Sequence, residues 1–319
     1  MLHNFMHATR EAGLILRDYY TSGEVAAQVH IDAVERYGLD GVLLDIDTAV
    51  LAEAVGVPVD HPDDLPPRVR QPLLPTLESI KDRPPPDIGR SPRVQVWLDA
   101  ASRLKKYFGD EVFLRGNCDQ APFSLASMMR GMENWMFDIV LDPDNAMVLL
   151  DYCMAASLQF INLMSKRGVH MISNGDSPAG PDLISPDLYR RFAKSYEQKL
   201  GERAHVLGLP YLMHICGKTN RVLDDFAEMS FDAVELDYKT DIHLIHEKLS
   251  ARLTLFGNID PTGVLTEGTP ATVAEKVTEL LEVYAERPRL VVNAGCAIPA
   301  TAPPENIRSL VEVAHNWQP

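Results

Sequence analysis

Cysteine is scarce: Cys118, Cys153, Cys216 and Cys296 are the only four in 319 residues. They are too few and too scattered for a disulfide framework, so a reducing, cytoplasmic setting is expected, with metal binding or packing as the use of the thiols. Long hydrophobic runs are also missing. No eighteen consecutive apolar residues occur, so no membrane span is expected. The opening Met1-Leu-His-Asn-Phe5 lacks the basic start and long apolar core of a signal peptide. Basic clusters are absent, and the net charge of -15 argues against a general nucleic-acid binder, because phosphate binding needs a basic face. No G-x-G-x-x-G follows a predicted strand, which argues against a dinucleotide site. No heptads and no fixed-period repeat are present.

What is present is 46% hydrophobic and 24% charged residues, enough for a large core. Apolar runs alternate with amphipathic helices. Strands are predicted to begin near Leu2, Gly41, Glu111, Val169, Leu209, Ala233, Leu253 and Leu290. Helices are predicted over 24–37, 93–107 and 123–137, from Asp142-Pro143 to about Arg167, from Ser185-Pro186 to about Val206, after Thr269-Pro270, and over 304–317. Eight strand–helix units in one domain, 1–319, predict an α/β fold of the (β/α)8 TIM-barrel type. An open doubly wound sheet is the alternative. Residues 57–92 hold ten of the 23 prolines and are read as an excursion packed over one end of the barrel or as a mobile surface loop.

Polar residues gather at the predicted C-terminal ends of strands, where this fold places its chemistry. The stretch Tyr211-Leu-Met-His214-Ile-Cys216 puts a His and a Cys two apart on an extended chain, facing the same side. Imidazole and thiolate are ligands that zinc prefers. Cys296 follows another strand, and Glu235 stands near the end of a strand between them. A His, two Cys and a Glu would complete a tetrahedral zinc site. A core histidine beside a small apolar cysteine is the plain alternative.

Asp45, Asp47, Asn117, Asp176 and Asn258 are further strand-end candidates for substrate binding. The aspartates suit a cationic or hydroxyl-bearing group, or else cap the following helices. Lys218 and Arg115 suit an anionic tail such as a sulfonate or carboxylate, or are solvated charges. Met128, Met132 and Met136 fall on one face of the helix predicted over 123–137 and are read as core, with a pocket for a flat corrinoid as the alternative.

His214-Ile-Cys216-Gly217-Lys218, with Asn293-Ala-Gly-Cys296 and the segment following it to Ile307, resembles the H-x-C…C zinc signature of the methylcobamide:coenzyme M methyltransferases. These belong to the uroporphyrinogen decarboxylase superfamily, built on a (β/α)8 barrel. Asp45-Ile-Asp47, Ala121-Pro-Phe-Ser-Leu-Ala126, the Asp176/Ser185-Pro186 segment and Phe256-Gly-Asn258-Ile-Asp260 match as well, so the resemblance runs from about Gly38 onward. The two-part cysteine signature is its specific part. Cobalamin-independent methionine synthase has a similar His, Cys, Glu, Cys order at its zinc, which favours Glu235 as the fourth ligand.

The resemblance implies a zinc-dependent methyltransferase that moves a methyl group between a corrinoid (methylcobamide) and a thiol or pterin, such as coenzyme M or tetrahydrofolate. The corrinoid would come as free cobamide or on a separate protein, because no D-x-H-x-x-G motif is present in this chain. It does not specify the direction of transfer or the oligomeric state. The decarboxylases hold substrate carboxylates with paired arginines near the N-terminus, where this chain keeps at most Arg10. A metal-free lyase of that type and a non-enzymatic corrinoid or porphyrin binder are the alternatives.

Overall fold

The structure is a computed structural model that describes residues 1–318. Among the described residues nine strands are formed: β1 (Gly41–Leu44), β2 (Val59–Asp60), β3 (Arg68–Val69), β4 (Phe113–Asn117), β5 (Met171–Gly175), β6 (Tyr211–Ile215), β7 (Ala233–Leu236), β8 (Thr254–Ile259) and β9 (Leu290–Ala294). Seven of them make one parallel sheet in the order β1-β4-β5-β6-β7-β8-β9, with helices between successive strands. The architecture is the (β/α)8 barrel, in which parallel strands curl around a filled interior.

The predicted first strand is corrected to a single bridge. Leu2 pairs with Val42, and the chain then turns into the helix Phe5–Glu11. Phe5 and Ala8 bury one face of that helix, so the segment gains more from helical packing than from a strand. Side chains and the neighbouring loop complete the junction between β9 and β1. The His3 amide donates to Asn293 Oδ1 at 3.0 Å, and the Ile298 amide donates to the His3 carbonyl at 2.8 Å.

A second correction concerns the helix expected over 123–137, which is two helices, Pro122–Arg130 and Met132–Leu141. The break is Gly131, with φ of 84°, and a Cβ there would lie 2.8 Å from Pro72 Cγ. Met128, Met132 and Met136 therefore do not share one helix face. The cap-then-proline signals hold: Asp142, Ser185 and Thr269 each accept a hydrogen bond from a backbone amide of the helix they open. The helix Pro143–Met164, with its short continuation to Arg167, is long and apolar enough to cross a membrane by length and composition. Half of its apolar stretch is buried, with Leu149, Leu150, Phe160 and Ile161 packed in the core.

The Pro-rich excursion is packed down. It contains the β2–β3 hairpin and a 3-10 turn at Leu77–Asp82. The Leu73 and Leu74 amides both donate to the Met129 carbonyl, and Ile88 is fully buried. Inside the barrel, Met1, Leu43, Met171, Leu212, Ala233 and Phe256 form an apolar floor. The cavity of interest opens above it.

Candidate metal centre

Buried Tyr211, Leu212 and Met213 anchor β6, and the strand delivers His214 and Cys216 to the rim of the barrel. Cys296 arrives from the loop after β9. The three side chains converge: their donor atoms all lie within 4.8 Å of one another. His214 Nε2 is 3.0 Å from Cys216 Sγ, and the two sulfurs are 3.5 Å apart without a disulfide. The Cys216 amide donates to Ser177 Oγ at 3.2 Å, which fixes the loop that carries the thiol.

The electrostatics of this trio suit a cation. Cys296 donating its S–H lowers the Cys216 pKa to about 3, and the neighbouring His214 adds to this against the effect of burial. Burial works to lower the His214 pKa, but the Cys216 thiolate and the bonds from Cys216, Cys296 and Glu235 raise it well above its ordinary value. A thiolate, a second thiol and an imidazole at one point are a donor set that fits zinc.

Glu235 occupies a different place from the fourth-ligand position expected for it. It is not part of the converging trio. Its Oε2 lies 3.2 Å from His214 Nδ1, on the far side of the ring from the sulfurs. The same oxygen accepts from Arg115 Nη2 at 2.9 Å, and Oε1 accepts from Asn293 Nδ2 at 2.6 Å. Burial raises a carboxyl pKa, yet Arg115 and then His214 hold Glu235 well below the usual carboxylate range.

The trio and Glu235 line a cavity of about 360 Å³ at the barrel mouth. Of the other predicted residues, Asp45, Asp47 and Asn117 line it as well. Asp45 is 2.6 Å from His3 Nε2 and accepts from Asn117 Nδ2 at 2.9 Å. Burial opposes protonation of His3, but Asp45 and then Glu235 together outweigh it and raise the His3 pKa. Asp47 is held by Arg93 and by the Ala49 amide, at 3.1 Å for the latter. Burial raises its pKa to about 6 even with Arg93 working the other way.

Three predicted substrate-binding residues lie elsewhere. Asp176 is sealed behind β5, where its Oδ1 accepts from the Ser124 amide and hydroxyl at 2.8 and 2.6 Å. Asn258 donates to the Asp237 and Thr240 carbonyls and lines a different groove. Lys218 is exposed, with its amide tied to Asp182 and its side chain off the cavity wall.

Sequence reasoning missed His3, Asp119 and Gln120, which also line the cavity. Asp119 follows the end of β4 by two residues, and that position was its available signal. Burial, and then the charge of Asp45, raises its pKa to about 8. Asn293 was visible only as the first residue of the Asn293-Ala-Gly-Cys296 stretch.

The uroporphyrinogen decarboxylase (URO-D) family model matches residues 3–317. The chain belongs to the uroporphyrinogen decarboxylase family. Within it, this URO-D family chain is similar to the methylcobamide:CoM methyltransferase MtaA of Methanosarcina barkeri, 28% identical over 306 residues, covering 94% of this chain and 87% of that protein. It is 27% identical to the methylcobamide:CoM methyltransferase MtbA of Methanosarcina acetivorans over 226 residues, 71% of this chain and 65% of that one. A solved methyltransferase from Methanosarcina mazei superposes with a TM-score of 0.89 at 26% identity, covering 98% of this chain and 90% of the other.

Proposed function

We propose that this URO-D family protein is a zinc-dependent methyltransferase that moves a methyl group between a methylcobamide and a small thiol. The observation that carries the proposal is the convergence of His214, Cys216 and Cys296 on one wall of the cavity. Three donors at an open cavity match the pattern of a reactive zinc site, which keeps one position for substrate; a purely structural site is closed by four. The methyltransferase relatives support the same reading.

In this reading His214, Cys216 and Cys296 hold the metal. Zinc bound there would keep a substrate thiol deprotonated at neutral pH while leaving its sulfur nucleophilic. Glu235 acts through His214: carboxylates on the second ring nitrogen of a metal-binding histidine fix its tautomer and orientation. Arg115 and Asn293 in turn fix Glu235. Phe5, Met6, Ile46, Pro66 and Met128 supply an apolar wall that excludes water from the sulfur. A cavity of about 360 Å³ takes a small molecule. A corrinoid macrocycle, free or on a separate protein, would present its methyl group from the mouth. The substrate sulfur would take the methyl carbon, and the electron pair of the broken carbon–cobalt bond would stay with the corrinoid.

A metal-free decarboxylase reading needs a basic pocket for a polycarboxylate. Arg10 is exposed and off the cavity wall, whereas Asp45, Asp47, Asp119 and Glu235 line it. The test is zinc content together with methylcobalamin demethylation in wild type and Cys296→Ser. Wild type should carry about one zinc per chain, and the variant should lose both metal and transfer. A Cys296→Ser protein that keeps full zinc and full transfer would remove the trio from the mechanism.

A further inference from the structure

The four carboxylates around the cavity differ in one respect. Asp45 is paired with His3, Asp47 with Arg93 and Glu235 with Arg115. Among the described residues Asp119 has no cationic partner. Its Oδ1 accepts from the Gly175 amide and its Oδ2 from the Gln120 side-chain amide, both at 2.9 Å. Both donors are neutral, and each carboxylate oxygen keeps a lone pair for a ligand. Asp119 is 8% exposed, and it lines the cavity.

Its position relative to the trio is fixed by packing. A Cβ on Gly175 would lie 2.8 Å from Asp119 Oδ1, so the carboxyl rests directly on that glycine. Gly175 is the register partner of His214 across β5 and β6. The Asp119 carboxyl is therefore seated on the strand next to the one that bears His214, and both residues line the same cavity.

The cavity has no matching place for an anion. Arg115 gives Nη2 to Glu235 and Nε to Ser173. Its Nη1 has no partner but is sealed from solvent, and the Phe256 ring centre lies 5.7 Å from the guanidinium carbon. The cationic groups on the wall, His3 and Arg115, are already engaged by Asp45 and Glu235, so a sulfonate or carboxylate tail would find no free counter-charge, and an ammonium would find Asp119.

We propose that the small co-substrate is a short aminothiol whose sulfur goes to the His214, Cys216 and Cys296 cluster and whose ammonium pairs with Asp119. This rests on the methyltransferase reading and sharpens it, with Asp119 as a specificity-determining residue. Burial and then the charge of Asp45 raise the Asp119 pKa to about 8, with His214 working against them, so pairing with the ammonium releases the proton that Asp119 holds at neutral pH.

The test compares 2-aminoethanethiol, 2-mercaptoethanol and 2-mercaptoethanesulfonate, which share one carbon spacing. Methyl transfer from methylcobalamin and calorimetric binding to the zinc-loaded protein are both measured, in wild type, Asp119→Asn and Asp119→Lys. Wild type should favour the aminothiol over the sulfonate by at least about ten-fold in both readouts. Asp119→Asn should bring the ratio toward one, and Asp119→Lys should invert it. Should the lysine variant not fold, the asparagine variant carries the test. A wild-type preference for the sulfonate, or a ratio that no folded variant moves, overturns the assignment while methyl transfer itself stands. Aminothiol preference in binding, lost in Asp119→Asn, with no methyl transfer to any thiol, supports the assignment and removes the methyltransferase reading.

Discussion

The floor and the mouth of the barrel are built from the same strands, two residues apart. Leu43, Met171, Leu212, Ala233 and Phe256 belong to the apolar floor. Two residues further along each strand stand Asp45, Ser173, His214, Glu235 and Asn258. A two-residue step keeps side chains on one side of a strand, so each strand carries an inward column that changes from apolar to polar. The floor gains stability simply by leaving water. The mouth buries Arg115, Glu235, Asp45 and Asn293, and each must be matched by a partner. Four of the five columns reach the cavity or its support. The fifth ends in Asn258, which ties the loop after β7.

Glu235→Gln should break the contrast most. It leaves Arg115 as a buried, unmatched cation, expected to cost roughly 3–5 kcal/mol in denaturant unfolding. It also tests the place of Glu235 at the metal. A residue acting through His214 should weaken zinc affinity about 10–100-fold, with metal still bound at saturation. Loss of all zinc, as for a direct ligand, would return Glu235 to the coordination shell.

Leu212→Ala makes the opposite change, in the floor directly below His214. Leu212 is fully buried, so unfolding should show a loss of about 2–5 kcal/mol. Zinc stoichiometry at saturation should be unchanged. If this variant loses metal as well, floor and mouth are less separable than their chemistry suggests.

The smallest effect is expected outside both layers, at Asp176. Burial raises its pKa from 3.8 to about 6, beside Glu197, whose pKa burial and Asp176 raise further. For a carboxyl raised on folding, the native state binds more protons than the unfolded one between these values. Its contribution to stability therefore falls as pH rises from about 4 to about 6 and stays low above that. Asp176→Asn keeps an acceptor for Ser124 and removes the charge. Melting temperatures compared at pH 4 and pH 7 should show the variant gaining on wild type at pH 7. An unchanged difference would show that Asp176 carries no such penalty.

Much of this was legible because strand alternation is a local property. His214 and Cys216, two apart on an apolar strand, declare a shared face before any fold is known. Asp45, Asn117 and Glu235 do the same at the ends of their strands. Asp176 misleads because it follows Gly175 at a strand end and turns to the helix side, where Ser124 receives it. Lys218 lies two residues past Cys216, but the turn at Gly217 ends the alternation and it faces out. Asp119 was hidden because Gly175, 56 residues away, sets its position. The split at Gly131 was hidden for the same kind of reason, since Pro72 approaches from the excursion. The single-bridge first strand reflects a choice between strand and helix that only the packing of Phe5 and Ala8 decides.

If His214, Cys216 and Cys296 hold a zinc ion at the polar mouth, methyl transfer depends on it. That dependence is tested most directly by the rate of methylcobalamin demethylation in chelator-stripped protein before and after one equivalent of zinc is returned. The stripped protein should transfer negligibly and recover its activity on adding zinc. Stripped protein that transfers methyl groups at the full rate would contradict that dependence.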